Sequence, residues 1–543
     1  MASIQQTPNG PVLVLKESAL QQKGKDAQKN NITAAKLVAE LVKTSLGPRG
    51  LDKMLVDSLG DVTITNDGVT ILKEMNIEHP TAEMVVEVAQ TQEDEAGDGT
   101  TTAVALTGEL LKNAEELLEQ DIHATAIIRG YNLANEKVKE ELEVVSNTID
   151  VEDLSLLQKV AETSMTGKGT EVHKVMLAKM VVEAVKKVSY EDEGEICVDL
   201  DFLNIETQSG ESTLESELFN GAVIDKEATH DNMPSEMKDA NILLLMEAIE
   251  IKETEVDAKI NITDATQLRH VLDQEEEEIR NQVQKIIDSG ANVIFCQKAI
   301  DEVARHYLAK AGILAVRRMK KSDMHFLKHL LDTTIVSDID DLSSDDLSKG
   351  KVSRDDDDKL FYVESANQDG FGVTLLLRGS TEHVVDELER SVGDAIDVVS
   401  QTVTDGQVLA GGGAVEIELA SRLRSYAESV SGREQLAIEA FANSLELIPR
   451  VLAENAGLDP IDVLVDLRAA HEEGNQKAGL NVFTGNVVNT FDAGVIEPTH
   501  AKRQAVSSAT EASNLILKID DIIAAGDLGK AGGDMGEMMP GMM

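Results

Sequence analysis

The sequence predicts a multidomain protein of the α + α/β class, with largely helical blocks at both ends and an α/β block between them. Its 543 residues are 42% hydrophobic, which is enough for several domains with their own cores. Apolar residues recur at helical spacing over residues 30–147 and again over residues 382–525. From about residue 190 onward, short β-like runs alternate with helical stretches, which is typical of an α/β domain.

A loop of glycine and proline follows the first predicted helix. Residues 44–50 read TSLGPRG, in which Gly47 and Pro48 are strong helix-stop signals. The loop is therefore tight and leaves backbone groups exposed. The helix before it is expected to face the core with four apolar residues, Leu37, Val38, Leu41 and Val42.

A short strand and a turn come next. Residues 62–65 alternate between apolar and polar side chains, which predicts a strand. The strand runs into Asn66, Asp67 and Gly68, which form a turn sequence. Its carboxylate is either a plain turn residue or part of a binding site.

The third feature is the run GDGTTT at residues 97–102. Its two glycines let the backbone take positive φ and approach a ligand closely. A strong amphipathic helix is predicted over residues 104–120, and the free N–H groups at such a helix start attract anions. Asp98 would repel a bare phosphate, so its presence is explained if Mg²⁺ lies between the two. The simpler alternative is a helix cap by Asp98 or Thr100.

These loops predict one nucleotide and metal pocket. Their glycines and aspartates cluster between residues 47 and 99. The chain contains no G-x-x-x-x-G-K-[ST] run and no G-x-G-x-x-G after a strand, so the pocket is neither a P-loop nor a Rossmann site.

The middle and the end of the chain differ from these blocks. Around a helix predicted over residues 299–311, three strands are predicted, at residues 242–245, 291–295 and 313–316. Residues 526–543 are rich in glycine and methionine and lack any core pattern, so this tail is expected to be disordered.

The charge balance is strongly acidic. The chain has 99 Asp and Glu against 50 Lys and Arg, a net charge of −49. Nucleic acid is therefore not expected as a partner, because phosphate binding needs clustered basic residues. Self-repulsion at this level opposes assembly, whereas roughly molar salt shrinks the Debye length to about 3 Å. A salt-rich archaeal cytosol is the simplest setting for such a chain.

The sequence also predicts the compartment. No run approaches eighteen uninterrupted apolar residues, so no membrane helix is expected. Residues 1–11 lack the basic and apolar regions of a secretory signal. Cys197 and Cys296 are the only cysteines and are expected to be buried thiols in a reducing cytoplasm.

The loop motifs resemble a known family. TSLGPRG, TNDGVTIL and GDGTTT, in this order and spacing, resemble the ATP-binding domain of the chaperonins. Five further segments and the Gly/Met tail resemble the group II branch, the thermosome-like chaperonins of archaea and the eukaryotic cytosol. These segments are residues 162–169 (ETSMTGKG), 378–382 (RGSTE), 411–416 (GGGAVE), 431–435 (SGREQ) and 478–482 (AGLNV). The resemblance covers nearly the whole chain.

The resemblance implies the chaperonin fold with three domains. Residues 1–150 and 405–525 would form a mainly helical equatorial ATP-binding domain, and residues 151–218 and 370–404 a small intermediate hinge domain. Residues 219–369 would form an α/β apical, substrate-binding domain.

Within that apical domain, the resemblance implies a helical protrusion at about residues 250–284 that closes as a lid. Asp264 and Gln267 resemble a capping box at a helix start there. An ordinary surface helix pair is the alternative.

The resemblance also implies the function. The chain would be an ATP-dependent molecular chaperone subunit that uses ATP and Mg²⁺. It would form a cytoplasmic double ring with identical or paralogous subunits and enclose unfolded protein clients. A metabolic ATPase, kinase or ligase would need a small-molecule pocket beyond the phosphate site, and the sequence shows none. A passive holdase is disfavoured by the intact set of Asp67, Asp98 and Asp394.

Several roles on the phosphate side follow from the resemblance. Gly47 and Pro48 would line the nucleotide and phosphate loop, and Asp98 would be the Mg²⁺ ligand. Asp67 resembles the carboxylate near the γ-phosphate and the attacking water. The phosphate cradle would consist of Gly99, Thr100, Thr101 and Thr102.

Two further residues would act in hydrolysis. Lys168 resembles the γ-phosphate sensor, although a lysine between glycines is otherwise a solvated turn residue. Asp394 matches the carboxylate of the intermediate domain that orients or deprotonates the water. Many relatives have an acidic pair at this point, where this chain has Gly393 before the aspartate. Asp397 is a competing candidate, and a solvated helix-face carboxylate is the plain alternative for Asp394.

The remaining residues would contact the nucleoside. The glycines at residues 411–413, Gly412 among them, permit a close approach to the ribose side, although a flexible loop is the alternative. Glu497 resembles the ribose-contacting acid, and Asn481 is a candidate for the base pocket.

Overall fold

The structure, a computed structural model, describes residues 3–7, 10–14, 21–56, 60, 62–75, 77–251, 265–355, 357–366 and 371–523. The chain folds as two compact units. Unit 1 combines residues 1–147 with residues 407–543, and unit 2 is the continuous segment 148–406. The elements below are numbered in chain order.

The first segment of unit 1 is mainly helical, with short strands before and after its first helix. The strands are β1 (Ser3–Thr7), β2 (Gly10–Val14), β3 (Gln21–Lys23), β4 (Lys53–Val56) and β5 (Val62–Thr65). The helices are α1 (Lys25–Lys43), α2 (Gly68–Glu74), α3 (Pro80–Ala96), α4 (Thr100–Glu119) and α5 (Ala124–Val145). Antiparallel pairs form between β1 and β2 and between β4 and β5.

The middle of the chain alternates strands and helices. Its strands are β6 (Asn147–Thr148), β7 (Ser189–Asp192), β8 (Glu195–Val198), β9 (Leu203–Ser209), β10 (Glu217–Phe219), β11 (Ala222–Asp225), β12 (Glu236–Leu245), β13 (Val293–Cys296), β14 (Leu314–Val316), β15 (Ile335–Val336), β16 (Ser348–Asp355), β17 (Leu360–Ser365) and β18 (Val373–Gly379). Its helices are α6 (Leu154–Met165), α7 (Lys174–Lys187), α8 (Ala265–Ser289), α9 (Glu302–Lys310), α10 (Lys321–Leu330) and α11 (Glu382–Asp405).

The last segment returns to unit 1 and is again mainly helical. Its strands are β19 (Gln407–Ala410), β20 (Ala478–Asn481), β21 (Asn486–Asn489), β22 (Ile496–Pro498) and β23 (Asp521–Ile523). Its helices are α12 (Ala414–Ala427), α13 (Arg433–Leu445), α14 (Leu447–Asn455), α15 (Pro460–Glu472) and α16 (Thr499–Leu517). Strand β19 pairs with β22, β20 with β21, and β23 with β3.

The core of unit 1 is built around α4, whose side chains are buried along most of its length. Tyr131 of α5 donates a hydrogen bond to the carbonyl of Leu110 at 2.7 Å and meets Phe441 edge to face, with ring centroids 5.5 Å apart. The buried hydroxyl therefore has a partner, and the aromatic pair joins the first and last segments of the unit.

Only two of the four residues predicted for the core face of α1 are buried. Val38 and Val42 are buried, but Leu37 is 62% exposed and Leu41 is 43% exposed. Alanines complete the buried face, because α1 and α4 approach closely. A Cβ atom at Gly108 of α4 would collide with the Cβ of Ala39, which leaves no room for leucine at this contact.

The two largest hydrophobic cores among the described residues of unit 2 lie on two sheets. In one, α6, α7 and α11 pack around the sheet of β10, β18 and β9. In the other, helices cover a larger sheet in the order β11, β17, β16, β12, β13, β14, with β15 also paired to β12. The three predicted strands of the middle segment are confirmed as β12, β13 and β14, which pair in parallel. The division into three domains stays a prediction.

Four further sequence predictions remain. The capping box of Asp264 and the tail at 526–543 lie outside the described residues. Cys296 is buried, but Cys197 is only partly buried, contrary to expectation. None of the described helices has the length and apolar content needed to cross a bilayer.

Candidate active site

The helix after GDGTTT begins earlier than predicted. It starts at Thr100 rather than near residue 104, directly after Gly99, which has a φ of 82°. Gly99 is the N-cap residue and provides no side-chain cap, so the alternative of a cap by Asp98 or Thr100 is wrong. Asp98 Oδ1 instead accepts a hydrogen bond from the Gly99 N–H at 2.7 Å. No side chain therefore caps the first N–H groups of α4, and such groups attract anions.

The Asp67 turn lies against this helix start. Asp67 Oδ2 accepts the Thr70 N–H at 2.7 Å and caps α2, while Oδ1 accepts the Thr100 hydroxyl at 3.2 Å. A Cβ atom at Gly68 would lie 2.7 Å from Thr101 Oγ1, so only glycine allows this approach. The structure therefore brings Asp67, Asp98 and the threonines to one end of α4.

Gln92 joins this loop to the last segment of unit 1. Its buried amide nitrogen donates to the carbonyl of Asp98 at 2.7 Å and to that of Ala501 at 3.2 Å. Sequence reasoning missed this residue, because a glutamine within an amphipathic helix carries no signal of its partners.

The loop of Gly47 and Pro48 packs against α14. Gly47 has a φ of 80°, and a Cβ atom there would collide with Leu452. Asn455 donates to the carbonyl of Leu46 at 2.9 Å, which fastens the loop to the same helix. Leu46 also packs against the buried cluster that joins Ala105 of α4 to Leu447 and Val451 of α14.

The glycines at 411–413 meet a hairpin and a strand. Gly411 donates its N–H to the carbonyl of Val495 at 3.0 Å, and Gly412 accepts the Leu480 N–H at 2.9 Å. A Cβ atom at Gly411 would lie 2.5 Å from Glu497 Oε1. These contacts place the glycines next to Glu497 and beside the hairpin of β20 and β21.

Asn481 ends β20 and shapes the turn of that hairpin. Its side-chain oxygen accepts the N–H groups of Phe483 at 3.0 Å and Thr484 at 3.1 Å. Phe483 in turn lies 5.1 Å from the guanidinium of Arg49, measured to the ring centroid. The TSLGPRG loop and the hairpin are therefore in contact, and the base-pocket role of Asn481 stays a prediction.

Glu497 belongs to a cluster of charged side chains. Lys502 Nζ lies 2.6 Å from Glu497 Oε2 and 2.7 Å from Glu416 Oε1. Burial raises the pKa of Glu497; Lys502 opposes this effect, while the negative charge of Glu416 reinforces it. Burial acts to lower the pKa of Lys502, but the two carboxylates outweigh it and raise that pKa. Sequence reasoning did not single out either Lys502 or Glu416.

Lys168 and Asp394 meet in unit 2. Lys168, in the loop between α6 and α7, donates to Asp394 Oδ2 of α11, and both side chains are about 15% exposed, at 16% and 14%. Three residues further along α11, burial raises the pKa of Asp397 to about 6. A side chain at Gly393 would meet nothing within 4 Å, so packing does not demand glycine at this departure from the family pattern.

The donor set in unit 1 fits Mg²⁺ delivered with a nucleotide. Among the described residues, no group of three or more His, Cys, Asp or Glu is arranged to hold a metal by itself. Mg²⁺ usually takes one or two carboxylates and completes its shell with phosphate oxygens and water. Asp98, with one oxygen engaged by Gly99, offers a hard oxygen ligand beside the anion-attracting start of α4.

Comparisons with known proteins found similar chains. A model of the TCP-1/cpn60 chaperonin family matches residues 38–527. The chain is 63% identical to thermosome subunit 2 of Haloferax volcanii over 96% of this chain and 94% of that protein. It is 60% identical to thermosome subunit beta of Halobacterium salinarum over 98% and 96%. An open-state monomer of a group II chaperonin from Methanococcoides burtonii superposes with a TM-score of 0.61 at 44% identity, over 78% of this chain and all of that one.

Proposed function

Since the chain belongs to the TCP-1/cpn60 chaperonin family, we propose that it binds Mg-ATP at the start of α4, and that Lys168 and Asp394 act in hydrolysis. The chain is a group II chaperonin, an ATPase whose ATP hydrolysis drives protein folding in a double-ring chamber. The proposal concerns which residues of this chain perform that activity, and the metal they use.

One observation carries the proposal, namely the junction of the Asp67 turn with the start of α4. The first N–H groups of α4, which no side chain caps, and the hydroxyls of Thr101 and Thr102 would supply donors for phosphate oxygens, while the Thr100 hydroxyl holds Asp67 beside them. Asp98 would hold Mg²⁺ on the same side, and the metal would neutralise charge on the phosphates when bound. The loop of Gly47 and Pro48 and the Gly411–Gly413 loop belong to the same unit. Both loops are suited to contact the parts of a nucleotide beyond its phosphates.

Asp67 is suited to positioning rather than to metal binding. Its two oxygens are held by the Thr70 N–H and the Thr100 hydroxyl, so the carboxylate has one orientation. A carboxylate fixed in this way can accept a hydrogen bond from the attacking water near the γ-phosphate.

The Lys168–Asp394 ion pair is suited to a response to phosphate. A γ-phosphate that attracts Lys168 competes directly with Asp394 for the same ammonium group. Asp394 would act on the water by accepting its proton. Sensing of the γ-phosphate and activation of the water are then coupled by a single side chain.

We extend the proposal to partners. Clients would be unfolded proteins, and the ring would contain identical or paralogous subunits, as the thermosome relatives suggest. Screening by salt would permit such rings despite the net charge of −49 on each subunit.

Replacement of Thr100 by valine tests the proposed site. Thr100→Val removes one donor and frees Asp67, so we expect ATP turnover to fall about 10- to 100-fold, the effect of one hydrogen bond to a charged group. Thr107→Val is the matched control, since Thr107 is also buried in α4 and donates only to the carbonyl of Ala103 at 2.8 Å. Phosphate release by the assembled protein measures both, and equal turnover in the two variants would contradict the site.

A further inference from the structure

Lys502 lies in the first turn of α16, a position where the helix dipole disfavours a cation. Its side chain is only 14% exposed. Two carboxylates compensate the charge, one on α12 and one on β22, at 2.7 Å and 2.6 Å. The three segments that carry these residues are therefore joined through one ammonium group.

The two carboxylates are not equivalent. Glu416 is 5% exposed, and its second oxygen, Oε2, is buried without a hydrogen-bond partner among the described residues. Glu497 is 27% exposed and lies against the open backbone of Gly411. Glu416 thus serves as the fixed anchor of Lys502, whereas Glu497 is the carboxylate that can also reach a ligand.

Lys502 favours the charged form of Glu497, and loss of this cation would make that form less stable in this place. Burial and the neighbouring charges of Glu416 and Asp98 all act to raise the pKa of Glu497, and only Lys502 opposes them. A carboxylate in that position would take up a proton or turn toward solvent. Either change alters what it can accept from a hydroxyl group.

We propose that Lys502 is a positioning residue for nucleotide binding, which orients the carboxylate of Glu497 and favours its charged form, so that this carboxylate accepts hydrogen bonds from the ribose hydroxyls of ATP. This inference rests on the proposed contact of Glu497 with the ribose. Lys502 itself touches no part of the nucleotide in this arrangement; it acts through Glu497.

The affinities of ATP, 2′-deoxyATP and 3′-deoxyATP for the assembled full-length protein test the inference by calorimetric titration. We expect the unmodified protein to bind ATP about tenfold or more tightly than the analogue that lacks the contacted hydroxyl. Glu497→Gln should reduce this preference to less than about threefold, and Lys502→Met should do the same. A residue with a merely structural role would weaken all three nucleotides equally.

Lys502→Met leaves Glu416 buried without a cation and can prevent folding. The double variant Lys502→Met/Glu416→Gln removes that stranded charge and should show the same loss of preference. Arg503→Met is the matched control on the same helix, because Arg503 pairs only loosely with the exposed Glu143, at 3.7 Å. It should keep the full preference.

The outcomes distinguish the positioning role of Lys502 from the ribose contact of Glu497. A full ribose preference in Lys502→Met/Glu416→Gln, together with its loss in Glu497→Gln, would overturn the role of Lys502 alone. A full preference in Glu497→Gln would remove the ribose contact of Glu497, and the role of Lys502 with it.

Discussion

Two aspartates on α11 differ sharply in their surroundings. Asp394 is paired with Lys168, whereas burial is the sole cause that shifts the pKa of Asp397, and it raises that pKa to about 6. An ion pair preserves a carboxylate as an acceptor, and burial without compensation opposes its charge. The contrast favours Asp394 as the residue that meets the attacking water.

Replacement of Asp394 by alanine should separate binding from chemistry. Because Asp394 is outside the nucleotide loops, Asp394→Ala should bind ATP and assemble normally but lose about 10²- to 10⁴-fold in turnover, the usual worth of a general base. Steady-state phosphate release and nucleotide titration measure the two effects. Turnover near that of the unmodified protein would move the role to Asp397 or Asp67.

Asp397 should make stability depend on pH. Its pKa rises from 3.8 to about 6 on folding, so the folded state takes up a proton first as the pH falls. The buried charge therefore costs stability above pH 6, and this cost disappears as the pH falls from 6 toward 4. Asp397→Asn should be more stable at pH 8, by at most about 3 kcal/mol, and the gain should vanish near pH 4.

Thermal unfolding of Asp397→Asn and the unmodified protein across pH 4–8 measures this difference. Asp405→Asn, at the exposed end of the same helix, provides the comparison. A gain that stays constant across the whole range would show that the Asp397 carboxylate is not destabilised by burial.

At the scale of single residues, the sequence predicts those whose interactions are with their neighbours in the chain. Glycines and aspartates in GDGTTT and NDG predict a turn and an acceptor regardless of distant neighbours. Gln92 and Lys502 could not be found in this way. The contact of Gln92 is with Ala501, 409 residues away along the chain. The contacts of Lys502 are with carboxylates on two other elements.

Helix α8 combines a predicted protrusion with part of a core. The protrusion was predicted to end near residue 284, but Ile279, Val283 and Ile286 of α8 are buried in unit 2. Gln282 donates to the carbonyl of Glu250 at 3.3 Å, so the two ends of the predicted protrusion lie close together. A deletion must therefore spare the last turns of α8.

Removal of residues 253–277, with a short Gly-Ser linker in their place, should leave an assembled ATPase that no longer confines a client. Turnover should persist, because every proposed nucleotide residue is elsewhere in the chain. Protease protection of a trapped unfolded client measures confinement, and a linker inserted without deletion is the control. Full protection in the shortened protein would contradict the lid assignment.

Sequence periodicity predicts helices better than it predicts their buried faces. For α1, the pattern predicted a helix but selected Leu37 and Leu41 for its buried face, and both are exposed. Alanine carries little hydrophobic signal, yet it is favoured where two helices approach closely, as α1 and α4 do at Gly108. The same limit applies at the start of α4, where threonines precede the apolar pattern but already belong to the helix.

At the scale of the whole molecule, charge is the dominant property. A net charge of −49 repeated in each subunit opposes association, and the opposition grows as salt is removed. Two of the thermosome relatives come from the halophilic archaea Haloferax and Halobacterium. The sequence predicts this repulsion without any structure, because it depends on composition alone.

Assembly should therefore depend on ionic strength. We expect rings without nucleotide to dissociate below a threshold salt concentration, and KCl and NaCl to act alike if screening is the cause. Sedimentation across a salt series measures the threshold, and neutral sucrose at equal osmolality is the control. Rings that stay intact at low salt would show that packing between subunits outweighs the repulsion.

The split of unit 1 has a consequence for how the protein is made. Helices α1–α5 leave the ribosome first, but their core is shared with α12, α13 and α16, the first of which follows roughly 260 residues later. At typical translation rates this delay is on the order of tens of seconds. Unit 2 is a continuous segment and can fold during this delay, whereas the apolar side of α4 stays exposed for that time. Each newly synthesised subunit therefore passes through a partly folded stage in which it resembles the unfolded clients of assembled chaperonins.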